Sequence, residues 1–315
     1  MIARSTTQPT ETTRKSINWT SARALVGVIY LVAQILVLVF ANRFPQPSAI
    51  LETADFVGLG ILATILAYQS ALSFGPGQTA RRAWLFIAIM PFADAFAYAA
   101  FTMGDVLGTR VKSGAFVGLA SALLSITRIL AALAFFNMLR VYRSSGLSLK
   151  LRGRDYLAMA VISVMEVLAL LFASSGARAS GGPDLERLVL ITSIPLVIAL
   201  APCSVFGVII WRYTTGMGGG LVARAWRSNL LYGATWLAYI VFNALGAKYL
   251  PVIGLGVSAK YVIAHGTDWI LKASEFLIFL GASYQYQASH ATPDYSDLSD
   301  FDISAPLAGV TAEQS

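Results

Sequence analysis

Near the C-terminal end of the chain, His265, Asp268, Lys272 and Glu275 follow one another at spacings of 3, 4 and 3 residues. That spacing places all four on one face of a helix. The residues between them are mostly apolar, so the face is a polar stripe on a helix that otherwise suits a membrane. Ionisable side chains within hydrocarbon are costly, and those retained there are functional by default. A neutral lysine amine can condense with an aldehyde. Asp268, one turn from Lys272, is placed to balance a cation formed there. The plainer expectation is a ladder of salt bridges within one helix, because buried charges are normally paired whatever their task. Three more ionisable residues, Asp94, Arg128 and Glu166, stand inside other apolar runs and join the stripe as candidates for a charge or ion pathway. Asp55 and Lys260 lie near run ends, where a long or short polar side chain reaches water.

The elements that must position these residues are membrane helices. The chain has 315 residues, 57% hydrophobic and only 12% charged, with a mean hydropathy of +0.67. A soluble domain carries roughly twice that charged fraction. About 20 apolar residues cross a bilayer as a helix. Eight such spans are expected: Ala24–Ala41, Thr53–Phe74, Ala83–Met103, Gly114–Leu139, Tyr156–Ala173, Leu188–Trp211, Ser228–Ala247 and Val257–Tyr284. The expected class is therefore an all-α integral membrane protein. Residues 1–22 read as a cytoplasmic tail, 23–286 as the transmembrane domain and 287–315 as a disordered acidic cytoplasmic tail. The first span is too long for a cleaved signal peptide and is read as retained.

Lys and Arg fix the expected orientation. Those in the N-terminal tail and in the connections after spans 2, 4 and 6 outnumber those in the other connections by about two to one, which places both termini in the cytoplasm. The natural location is the plasma or cytoplasmic membrane. The formal charge of +7 lies mostly in these short loops, so it has a topological meaning and does not argue for nucleic-acid binding. Cys203 is the only cysteine, and His265 and His290 are the only histidines. They build neither a disulfide framework nor a cysteine metal site nor a bis-histidine haem site. No P-loop, HExxH or nucleophile elbow is present, and no enzyme activity is expected. The partners expected are the lipid bilayer and, compatibly, a second copy of the chain or a cytoplasmic signalling protein.

The chain also repeats itself. Ala80-Arg81-Arg82-Ala83-Trp84 opens span 3 after a Gly-rich turn at Gly75–Gly77. Val222-Ala223-Arg224-Ala225-Trp226 opens span 7 after Gly216–Gly220, 142 residues later. The same offset lays Gly114 on Gly256 and span 4 on span 8. Spans 2-3-4 thus resemble spans 6-7-8, in the same direction, with span 5 between them and span 1 outside. Repeats of this kind often hold a binding site at their interface. A plainer account is that Arg-Ala-Trp marks a cytoplasmic helix start with an interfacial Trp.

Trp236 and Tyr239 in span 7, followed 36 residues after Trp236 by Lys272, with Asp268 one turn earlier, carry a family likeness. The chain resembles the microbial (type 1) rhodopsins. In that family the penultimate helix lines the retinal pocket with a Trp and a Tyr, and the last helix holds an Asp and the Lys that forms the retinal Schiff base. The resemblance implies retinal on Lys272, with Asp268, Trp236, Tyr239 and Tyr98 around it. It also implies a seven-helix core of spans 2–8 with an added N-terminal helix. The family pattern breaks in span 4. Arg128 matches the family's Arg, but Ala131 stands where a counterion carboxylate is usual and no Trp follows. Ile240 replaces the usual Pro after the pocket Tyr. Asp268 would then be the main counterion, which fits a light sensor or a light-gated or light-driven ion-handling protein better than an efficient outward proton pump. The alternative from the residues alone is a retinal-free transporter, or a membrane signalling module, that uses intramembrane charges.

Overall fold

A computed structural model describes residues 18–40, 43–106, 114–144, 150–216, 220–232, 234–235 and 257–290. Among these the ordered elements are all helices: α1 Trp19–Phe40, α2 Pro45–Leu72, α3 Thr79–Val106, α4 Gly114–Ser144 and α5 Gly153–Gly216. A further helix, α6, covers 221–232 and continues at 234–235. The last is α7, Val257–His290. Among the described residues, four helical stretches are long and apolar enough to cross a membrane: Trp19–Phe40, Gln46–Leu72, Thr79–Ala99 and Ser125–Ser144. They correspond to the first four expected spans. α7 runs to His290, into the expected tail, and its last turns are held in place: the Arg23 guanidinium donates to Ser283 Oγ at 2.9 Å and to Gln287 Oε1.

The fifth and sixth expected spans share one helical segment. Arg212 stands 57 positions after Asp155, and a straight helix would separate the two by about 86 Å. Yet Asp155 Oδ2 and Arg212 Nε lie 3.2 Å apart. The segment therefore folds back on itself, and Gly181, Gly182 and Pro183 lie near its middle. Asp155 also accepts from the backbone N–H of Arg152 at 2.7 Å, so one carboxylate both starts the first arm and ties it to the end of the second.

Contacts between helices give their directions. Gly60 and Ser70 of α2 and Ser73 at its C-terminal cap meet Glu275, Ala282 and Ser289 of α7 in the same order, so these two helices are parallel. α3 returns against α2 after the turn at Gly77, whose φ of +87° suits glycine. α3 is thus antiparallel to α7. α1 is antiparallel to α7 as well, with Arg23 beside Ser283 and Tyr30 stacked on Phe276 at 5.7 Å. α6 comes so close to α7 that a Cβ on Gly281 would lie 2.5 Å from Asn229 Oδ1 and 2.9 Å from the Ala225 carbonyl. Close backbone approach through small residues is a usual way to pack helices in lipid.

The two Arg-Ala-Trp motifs meet. Trp84 and Trp226 are 1% and 0% exposed, and their rings lie 5.3 Å apart where α3 crosses α6. The tryptophans are therefore core residues, not anchors at a lipid interface. The outward faces of α1, α2, α4 and the first arm of α5 carry exposed Leu, Ile, Val and Phe.

Candidate functional site

Four helices bring polar side chains to one buried point. α3 supplies Asp94, one turn beyond Pro91, and α4 supplies Thr127 and Arg128. α6 supplies Tyr232, and α7 supplies Glu275. Each of these side chains is 3% exposed or less. α2 contributes room instead of a polar group. A Cβ on Gly60 would lie 3.0 Å from the Pro91 carbonyl and 3.2 Å from Ala95 Cβ, with Glu275 Oε2 at 3.7 Å.

The Tyr232 hydroxyl donates to Asp94 Oδ2 at 2.8 Å. The Arg128 guanidinium lies 5.4 Å from the centre of the Tyr232 ring, a cation–π distance. Thr127 reaches the same Asp94 carboxyl, and Arg128 is the cation in its field. The Glu275 carboxyl lies against that of Asp94, within hydrogen-bonding reach. Asp94 Oδ1 and both Glu275 oxygens have no other donor among the described groups. Ionised carboxylates only accept hydrogen bonds. A bond between the two therefore requires a proton on one of them. With that proton in place, one negative charge faces the Arg128 cation, and among the described side chains the cluster is neutral. That is the arrangement a low-dielectric interior tolerates.

The expected site residues divide as follows. Asp94, Arg128 and Glu275 come together. Tyr98 is half-buried on α3 with its ring 4.7 Å from that of Phe56. His265, Asp268 and Lys272 lie on α7, where their backbone keeps the register of one face with Glu275. Glu166 lies on the first arm of α5. The side chains of these four, and Trp236 and Tyr239 as whole residues, lie outside the described residues. Because α3 and α7 are antiparallel, Tyr98 and Lys272 stand at nearly the same height, each about a turn from the Asp94–Glu275 contact. Asp55, expected near a span end, accepts from Gln34 Nε2 of α1 at 2.6 Å. Tyr232, Thr127 and Gly60 were not expected in the site. A neutral phenol or hydroxyl within an apolar run carries no sequence signal comparable to a charge.

Next to the cluster is a cavity of about 390 Å³ between α4, both arms of α5, and α6. Arg128 and Tyr232 line it where it meets the cluster, and the Asp155–Arg212 pair lines it elsewhere. Ala131, Phe135, Ile162, Val208 and Leu230 make much of its wall. Cys203 Sγ, also on the wall, contacts the Arg128 carbonyl at 3.3 Å. Among the described side chains, none of α7 lines it.

No protein-family model, curated protein or solved structure matches the chain.

Proposed function

We propose that this chain is an integral membrane protein, with both termini in the cytoplasm, that binds and moves a proton through the Asp94–Arg128–Tyr232–Glu275 cluster. The observation that carries the reading is the contact between the fully buried carboxyls of Asp94 and Glu275. A purely structural site would satisfy such groups with fixed donors, whereas this pair relies on an exchangeable proton. Infrared difference spectra across a pH titration test it. A C=O stretch of a protonated carboxyl should appear in the wild type, shift in D2O, and vanish in Glu275→Gln or Asp94→Asn. A wild type with no such band, or one whose band ignores D2O, overturns the reading.

The likeness to microbial rhodopsins supports a second reading, in which Lys272 holds retinal and the protein is a photoreceptor or a light-driven ion-handling protein. What favours it is the place of Lys272, three residues before a buried carboxyl on the same helix and at the height of Tyr98. Retinal bound there would supply light absorption and a positive charge at the lysine, which Asp268 and Glu275 would balance. Purified protein given all-trans-retinal should then absorb visible light, and Lys272→Ala should not. Asp268→Asn should keep the pigment and change its colour. Wild type that forms no pigment removes this reading and leaves the first intact.

A further inference from the structure

We infer that the cavity between α4, the two arms of α5 and α6 holds one acyl chain of an anionic phospholipid, with the lipid phosphate kept at the basic end of the cavity beside Asp155. The inference goes beyond the proton-binding cluster and rests only on the membrane part of the reading above.

The cavity is a slot that follows the helices. From the second arm of α5, Cys203 with Ser204, Gly207 with Val208, and Trp211 with Arg212 line it. Residues four apart share one helix face, so the slot runs along that arm. Arg212 stands 9 positions after Cys203, which is about 13 Å of helix. On the first arm Asp155, Ala158 and Ile162 line it, one side chain per turn. Gly207 leaves the middle of the slot free, since a Cβ there would meet only Leu230, at 3.6 Å.

The slot is open along one side. Trp211 and Leu231 belong to its wall and are 39% and 42% exposed. On a membrane helix such apolar exposure faces lipid tails. A long apolar slot reached from the bilayer suits a hydrocarbon chain. The gain comes from packing, because an unfilled void forfeits the dispersion contacts of its lining.

The two ends of the slot differ. At the inner end the Arg128 guanidinium is engaged with Asp94 and the Tyr232 ring, and Arg128 serves only as wall. At the other end Asp155 and Arg212 balance each other at 3.2 Å. Lys150, Arg152 and Arg154 are exposed beside that pair, and Asp155 is the only acid in the sequence from 150 to 162. Positive charge in excess at the mouth of an apolar slot complements a phosphate that carries an acyl chain. Guanidinium groups also match phosphate oxygens through paired hydrogen bonds.

The test is native mass spectrometry of the full chain in detergent, titrated with dioleoyl phosphatidylglycerol and separately with dioleoyl phosphatidylcholine. Wild type should retain one phosphatidylglycerol molecule in preference to phosphatidylcholine. Arg152→Gln with Arg154→Gln should lower that preference roughly tenfold or more, as expected for two basic residues at a headgroup. Gly207→Phe should abolish retention, because the ring fills the slot without meeting backbone. Trp211 reports the same event in a chain with an unaltered slot. Brominated acyl chains quench a tryptophan they touch. The part of the quenching by brominated phosphatidylglycerol that is lost in Trp211→Phe should be displaced by plain phosphatidylglycerol, and not by phosphatidylcholine at equal concentration. No retained lipid, equal retention of both lipids, or retention indifferent to Gly207→Phe overturns the inference. If those results come from a chain that stays in membranes washed with alkaline carbonate, this inference falls alone. A chain that the wash releases is not an integral membrane protein, and the membrane reading falls with it.

Discussion

The Tyr232 hydroxyl donates to Asp94 across the α3–α6 interface at 2.8 Å, with both side chains buried. Removing one partner of a buried hydrogen bond leaves the other unsatisfied and costs about 1–3 kcal/mol. Tyr232→Phe should therefore lower the thermal midpoint in detergent. Combining it with Asp94→Asn should give a loss smaller than the sum, since contacting residues couple by roughly 0.5–3 kcal/mol. Strictly additive losses would show that the bond contributes nothing to stability.

Arg128 provides a second cycle. Its guanidinium sits in the field of Asp94 and over the ring of Tyr232. Breaking a buried charge pair from one side costs about 3–5 kcal/mol, and removing both charges costs less. Arg128→Gln alone should lower yield and midpoint, and Asp94→Asn should restore part of both. Glu166→Gln, on α5, should restore nothing. Rescue by Glu166→Gln and not by Asp94→Asn, read from midpoints in detergent, would assign the guanidinium to α5 instead.

The close approach of α6 and α7 predicts intolerance at Gly281. A methyl group there would meet Asn229 Oδ1 at 2.5 Å and the Ala225 carbonyl at 2.9 Å. The Asn229 amide can turn away, but backbone cannot. Overpacking of this kind typically costs 1–3 kcal/mol. Gly281→Ala should destabilise, and adding Asn229→Ala should restore only part of the loss. A Gly281→Ala protein with an unchanged midpoint would mean that the helices separate there without cost.

Much of this was legible in the sequence, and the reasons differ by residue. Apolar runs mark helices because backbone groups in lipid must bond internally, so the helices holding Asp94, Arg128 and Glu275 follow from composition. Trp84 and Trp226 close the same Arg-Ala-Trp motif, which was legible in the sequence. Their direct contact was not, since a motif offset says nothing about which copy faces which. The fold-back of α5 was hidden for another reason: helical geometry continues through the reversal, while the apolar runs marked only a connection between the fifth and sixth spans. That Asp94 is an acid facing Arg128 depends on helix rotation, and a span of uniform hydropathy does not encode rotation. The spacing of His265, Asp268, Lys272 and Glu275 fixed a common face on α7 but not that Glu275 would meet a second acid.

Orientation is testable by labelling. Gln46, in the first turn of α2, and Lys150, before α5, are both exposed and fall on opposite sides of the expected membrane. Ser48 would be a poor probe, being 5% exposed. In a Cys203→Ala background, a membrane-impermeant maleimide added to intact cells should label Gln46→Cys and spare Lys150→Cys. The reverse pattern would invert the protein and move the Asp155–Arg212 end of the cavity to the outside.

Glu275→Gln separates a structural from a functional carboxyl. Glutamine has nearly the shape of glutamic acid, and its amide N–H can donate to Asp94 as a protonated Glu275 would. The change thus keeps the hydrogen bond and removes the proton that can leave. Neutral replacement of a buried ionisable group is often without penalty to stability. The expected result is an unchanged or higher thermal midpoint together with loss of the exchangeable carboxyl band. Glu275→Ala, in contrast, leaves a void beside Gly60 and Asp94 and should cost about 2–5 kcal/mol, the range for emptying a buried side-chain site. A purely structural Glu275 predicts the opposite ordering of readouts: the band would be absent in wild type, and the glutamine variant would differ from it in nothing measurable. Midpoints for the two variants and infrared spectra for wild type and Glu275→Gln decide between them, and a glutamine variant that retains the wild-type band would place the exchangeable proton elsewhere.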